Sequence, residues 1–124
     1  MRIIRKDQVA TPIRAPLGEE IFELIGRSDE LGATVKHSLA YVVVPPGSRS
    51  PAHYHKESEE TYYIVDGEAR LRIDGDEHHV VGGDACLIVP PEVHEIVSVG
   101  TGNLEFLVIS APAWVPTDTY EVSE

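Results

Sequence analysis

Glu59-Glu60-Thr61-Tyr62-Tyr63-Ile64-Val65-Asp66-Gly67-Glu68-Ala69-Arg70-Leu71-Arg72-Ile73-Asp74-Gly75-Asp76-Glu77-His78-His79-Val80-Val81 reads as strand, turn, strand, turn, strand. Residues 61–65 and 71–73 are rich in β-branched and aromatic side chains, which suit a pleated surface. Asp74-Gly75 joins two runs, 69–73 and 77–81, with a residue pair that takes positive φ easily, so a two-residue hairpin is expected there. Asp66-Gly67 has the same chemistry and predicts a second hairpin turn.

The pattern extends in both directions. Residues 40–44, 86–89, 95–99 and 104–109 are again short, rich in Val and Ile, and bounded by Gly, Pro or Asp. Nine prolines and ten glycines punctuate the chain at intervals too short for most helices. Only residues 19–31 are ambiguous: Ile21, Leu24 and Ile25 fall at helical spacing, Ile21, Glu23 and Ile25 alternate as in a strand, and Gly26 interrupts. About ten short strands in one domain imply an all-β sandwich or barrel.

At 124 residues and 13.6 kDa the chain suffices for one domain, read as residues 1–124 with no repeat or linker. Ten Lys and Arg against 21 Asp and Glu leave a formal charge of −11, which repels nucleic acid and anionic lipid. The longest apolar run, residues 39–44, is far too short to span a bilayer, and the first residues lack the apolar stretch of a signal peptide. The single cysteine, Cys86, permits no internal disulfide and fits a reducing cytoplasm. No Gly-x-Gly-x-x-Gly, phosphate loop, Gly-x-Ser-x-Gly or Cys-x-x-Cys is present, which removes nucleotide-dependent and serine-hydrolase readings.

Six histidines in so acidic a chain draw attention to themselves. His53 and His55 share one face of a strand, Glu60 opens the next strand, and His94 opens another far downstream. Imidazoles and a carboxylate converging inside a barrel would make a mononuclear site for a divalent metal. A His-x-His pair also arises by chance, and an isolated His94 would suit a surface or a hydrogen-bonded core position. The residues alone leave both readings open.

The punctuation around these residues resembles the cupin superfamily. Gly47, His53, His55, Glu60 and Gly67 stand at the spacings of the first cupin motif, and the six residues before Gly67 select Glu60 over Glu59. Gly83 to His94 matches the length of the second motif, with Val89 in place of the usual Pro, Pro91 in place of Gly and Ser98 in place of Asn. The motif core is residues 47–98. The wider stretch is similar to small stand-alone cupins, the group compared with mannose-6-phosphate isomerases. The resemblance implies a jelly-roll-like barrel, the double-stranded β-helix, with one divalent metal (Fe, Mn, Ni, Co or Zn) held by His53, His55, Glu60 and His94. It also implies a homodimer paired through its sheets.

Four protein groups saturate a tetrahedral ion but leave an octahedral one two positions for substrate oxygens or O₂. The expected function is therefore a metalloenzyme acting on a small oxygen-rich molecule, by dioxygenation or by isomerase, lyase or cyclase chemistry. The alternative is a non-catalytic small-molecule or sugar-binding module. Few free cations argue against a phosphosugar. With Glu60 inward, Tyr62 and Ile64 face inward as well, and Tyr62 is the candidate catalytic donor unless it is simply a packed aromatic. Phe106 and Val108 share a face. Tyr41 is expected in the core, Cys86 as a buried inert thiol, Arg70 and Arg72 on a solvated strand face, and His37, His78 and His79 at the surface.

Overall fold

Alternation wins over helical spacing in the ambiguous run. In the computed structural model, which describes residues 1–27 and 32–123, Glu20 to Gly26 form a strand. The last part of that run, residues 28–31, lies outside the described residues. Period two sends Ile21 and Glu23 toward an interior cavity and Phe22 the other way, beside Tyr41 and beneath the Lys6 ammonium.

The described strands are β1 (Ile13–Arg14), β2 (Glu20–Gly26), β3 (Gly32–Ala33), β4 (Ser38–Val44), β5 (His53–Tyr54), β6 (Glu59–Asp66), β7 (Glu68–Ile73), β8 (Asp76–Val81), β9 (Ala85–Ile88), β10 (His94–Ser98), β11 (Leu104–Ala111) and β12 (Tyr120–Glu121). They form two sheets. One runs β1-β2-β4-β11-β6-β9, with β3 parallel to β2; the other runs β12-β5-β10-β7-β8. Apart from β3, the strands pair antiparallel, and the fold is the almost all-β jelly roll expected.

Asp74-Gly75 forms the expected two-residue hairpin, with Ile73 opposite Asp76 and both turn residues at positive φ. Asp66-Gly67 does not. It carries the chain from β6 in one sheet to β7 in the other, so it is a corner between sheets. Gly67 is required there for two reasons. Its φ is +91°, and a Cβ would lie 2.6 Å from the Asn103 carbonyl oxygen and 2.8 Å from the Leu104 Cα. Gly75 has a similar φ of +90° with nothing within 4 Å. Gly67→Ala is therefore expected to destabilise by about 1–3 kcal/mol, and by more than Gly75→Ala. Equal urea midpoints for the two variants would contradict that reading of the corner.

The inward faces of both sheets interdigitate as one core, which includes Val42, Val44, Tyr62, Ile64, Leu71, Ile96, Leu104 and Phe106. Each such side chain contributes roughly 1.5–3 kcal/mol on burial. Two core expectations are corrected. Tyr41 lies on the outer face of β4, half-buried, where its hydroxyl donates to Glu105 Oε1 at 2.7 Å. Cys86 is half-buried rather than enclosed, because β9 ends the sheet and only β6 flanks it. Burial, followed by the charge of Asp84, still raises its thiol pKa, so it remains a poor nucleophile.

Candidate metal centre

Three adjoining strands bring the candidate ligands together. On β5, His53 lies opposite His94 of β10, and His55 follows two residues later on the same face. Glu60 comes from β6 in the other sheet, opposite Ser110 of β11. One ligand atom from each of His53, His55, Glu60 and His94 lies within 4.8 Å of the others. His55, Glu60 and His94 are buried and His53 is half-buried.

The imidazoles are oriented from behind. Nδ1–H of His53 donates to the Pro51 carbonyl at 2.7 Å, that of His55 to the Asp118 carbonyl at 2.8 Å, and that of His94 to the Glu92 carbonyl at 3.0 Å. Carbonyl oxygens only accept, so the proton of each neutral ring sits on Nδ1 and leaves an Nε2 lone pair for the cluster. Glu60 Oε1 lies 3.1 Å from His55 Nε2 and 3.2 Å from His94 Nε2, while Oε2 accepts from the Ser110 hydroxyl at 2.7 Å. A carboxylate facing neutral nitrogens in this tautomer is repulsive unless a cation, whether a proton or a metal ion, lies between them. The donor set therefore fits a divalent ion.

The electrostatics agree. Burial alone would raise the Glu60 carboxyl, but contacts with His55, His94 and Ser110 outweigh it and hold the group well below the usual carboxylate range. Burial and the neighbouring His94 push His53 down to about 4. Burial also opposes charge on His55, yet its bond to Glu60 and the nearby Asp118 leave its pKa raised.

Asp118 gave no signal in the sequence and matters twice. Besides holding His55 through its carbonyl, its carboxylate accepts from the backbone N–H groups of Lys56, Glu57 and Ser58 at 2.9 to 3.3 Å. It thereby fixes the loop between His55 and Glu60. Asp118→Ala keeps the carbonyl behind His55 but releases the loop N–H groups, and is expected to weaken metal binding by up to about 10–100-fold, the range for loss of support behind a ligand. Competition with a chromogenic chelator measures this, and an unchanged affinity would contradict the role. Ser110 was also missed, although extending the Phe106–Val108 parity by two reaches it.

The entry to β10 is tied as well. Asp74 accepts from the Val93 N–H at 2.9 Å and donates its own N–H to the Val93 carbonyl at 2.8 Å. Ser98, at the motif's usual Asn position, is buried with its hydroxyl unpartnered among the described residues. His37, His78 and His79 are exposed and outside the cluster, and His79 donates to Glu68 at 2.6 Å. Arg70 and Arg72 lie on an exposed strand face, with Arg72 paired to Glu77 at 2.9 Å and to Glu95 at 3.8 Å.

The cluster opens on a cavity of about 320 Å³. Tyr62 is one wall, only 4% exposed, with its ring 4.9 Å from Phe106 and 6.0 Å from His94. Burial, with the charges of Glu60 and Glu19, raises its phenol well above the usual range, so it is a donor rather than a base. Among the described residues, no hydrogen bond engages its hydroxyl.

Residues 40–110 match the cupin domain family, and the chain belongs to it. It is 39% identical over 85 residues to an uncharacterized protein of Methanocaldococcus jannaschii, covering 68% of each chain. It is 36% identical over 71 residues to an oxalate-binding protein of Thermotoga maritima, covering 57% of this chain and 59% of that one. The structure of a predicted oxalate decarboxylase from Thermotoga maritima superposes with a TM-score of 0.78 at 27% identity, over 89% of this chain and 98% of that one. Among the described residues, no helix is long and apolar enough to cross a membrane.

Proposed function

We propose that this cupin, as one domain over residues 1–124, binds a single divalent metal through His53, His55, Glu60 and His94 and acts as a metalloenzyme on a small, oxygen-rich molecule held in the cavity. The observation that carries the reading is the convergence of the four side chains, with each Nδ1 bonded to a backbone carbonyl and the Nε2 atoms of His55 and His94 within 3.2 Å of Glu60. When bound, the ion (Fe, Mn, Ni, Co or Zn) would supply a Lewis acid with about one net positive charge for substrate oxygens.

The remaining tasks fall to the chain. Ile21, Val42, Phe106, Val108 and Trp114 line the cavity with apolar surface that excludes water, and the Tyr62 hydroxyl donates a hydrogen bond to a substrate oxygen. A reducing cytoplasmic setting and a paired state belong to the same reading. The exposed Tyr63, Val65, Leu87 and Ile109 on the outer face of the larger sheet support pairing, which size-exclusion chromatography can test.

The name of the oxalate-binding relative favours a second reading, a module that holds its ligand without converting it. Incubating Fe²⁺- and Zn²⁺-loaded protein with hydroxy acids, sugars and phenols, in air and without it, separates the two. Many product molecules per site are expected. Oxygen consumption would mark dioxygenation, and turnover without oxygen would mark isomerase or lyase chemistry. Saturable binding of one ligand per site with no product would overturn the catalytic reading.

A further inference from the structure

Glu19 immediately precedes β2, and the parity of that strand puts residues 19, 21 and 23 on the cavity side, where all three line the wall. The backbone around it is tied down. Ala15 N–H donates to the Glu19 carbonyl at 2.9 Å, Gly18 N–H to the Ala15 carbonyl at 3.1 Å, and Arg49 N–H to the Leu17 carbonyl at 3.3 Å. Gly18, at φ +109°, lies so close against Ser48 that a Cβ would not fit.

The side chain itself is unaccounted for. Among the described residues, Glu19 makes no hydrogen bond or ion pair. Arg14, the one Lys or Arg of the described lining, is paired with Glu20. The neighbouring acid in the wall, Glu23, already accepts from the Arg27 backbone. A half-buried carboxylate without a partner costs stability, so the fold has no use for it.

We propose that Glu19 is the proton-transferring residue of this cavity, working on substrate held beside the four-residue cluster; this rests on the metal-dependent reading above. As a carboxylate it takes a proton from a substrate C–H or O–H, and the electron pair stays on the substrate. As the resulting carboxylic acid it returns that proton to a different substrate atom. No oxidant or reductant is consumed, so the chemistry is that of an isomerase, lyase or cyclase. With Glu19 and Glu23 in the wall and Arg14 engaged, the cavity suits a neutral or singly charged molecule with an apolar body better than a small dianion.

In the metal-free chain burial, followed by the charge of Glu60, raises the Glu19 carboxyl to about 7, and burial, the larger cause, persists when an ion neutralises Glu60. The groups facing it from the surrounding walls are Glu60 and Tyr62 on β6, His53 and His55 at β5, Glu23 on β2, Arg14 on β1 and Glu121 on β12.

The test uses Zn²⁺-loaded wild type and Glu19→Gln, each analysed for zinc. Carboxyl ¹³C NMR of glutamate-labelled protein, with the Glu19 resonance assigned by its loss in the variant, reads the midpoint directly. Proton NMR of hydroxyacetone in D₂O reads C–H exchange. The expected results are a midpoint well above the ordinary carboxylate value, held up by burial, and exchange slowed roughly 10²–10⁴-fold in Glu19→Gln with zinc retained. A midpoint at the ordinary value of about 4.3, wild-type exchange that is absent, or exchange equally fast in the variant would overturn the proposal. Wild-type protein that takes up no zinc would instead sink the metal reading.

Discussion

Glu60→Gln is expected to abolish stable metal binding while leaving the chain folded. The substitution keeps the shape of the side chain and an oxygen able to accept from Ser110, which donates to Glu60 at 2.7 Å. It removes the one negative charge within the cluster, on which the His55 and His94 nitrogens converge. The loss should exceed the roughly 10–100-fold that follows removal of a group behind a ligand. Glu59→Gln is the control, since Glu59 is adjacent in sequence but exposed. Elemental analysis and Co²⁺ titration of both variants, with circular dichroism to verify folding, measure the difference. Equal metal contents would show that the carboxylate chosen by its distance from Gly67 is not the one that binds.

Metal affinity is expected to rise with pH, by up to about tenfold per unit below the raised His55 pKa. In the metal-free protein, the His55 pKa is raised chiefly because its bond to Glu60 outweighs burial, so below that raised value a proton lies between the two groups. The ion must displace that proton. The slope flattens once pH passes the raised His55 value, where no proton remains to be released. His53 behaves oppositely. Burial and His94 lower it to about 4, so the stability it contributes is complete above roughly pH 6.5 and is lost as pH falls toward about 4. Calorimetric metal titration in two buffers of different ionisation enthalpy counts the protons released. A pH-independent affinity with no proton release would contradict the account.

Much of this was legible in the sequence because alternation reports which way a side chain faces. It placed His53 and His55 together, sent Tyr62 and Ile64 inward, and identified the Asp74-Gly75 hairpin. Facing is not pairing. Asp66-Gly67 has the chemistry of a hairpin, yet β6 pairs with β9 and β11 while β7 pairs with β8 and β10, and only those long-range pairings distinguish a corner from a hairpin. Tyr41 failed for a related reason. An aromatic in an apolar strand looks like core, but Val42 and Val44 take the inner face and leave Tyr41 to pair its hydroxyl with Glu105.

The supports of the site were illegible for a different reason. Asp118 reaches the His55 loop from about sixty residues away, and its role depends on backbone groups that carry no mark in a sequence. Glu19 looked like one acid among many. Its significance comes from lining the cavity without a partner, a property of the folded chain.

The most direct test is the metal content and coordination of the wild-type chain, purified without chelator. Elemental analysis should find one divalent ion per chain, and X-ray absorption should give a first shell with three imidazole nitrogens and carboxylate oxygen. The His53→Ala variant should lose the ion while keeping the fold. A folded wild-type chain without metal that takes up none when Fe²⁺, Mn²⁺, Ni²⁺, Co²⁺ or Zn²⁺ is supplied, or an ion retained undiminished in His53→Ala, would contradict the account.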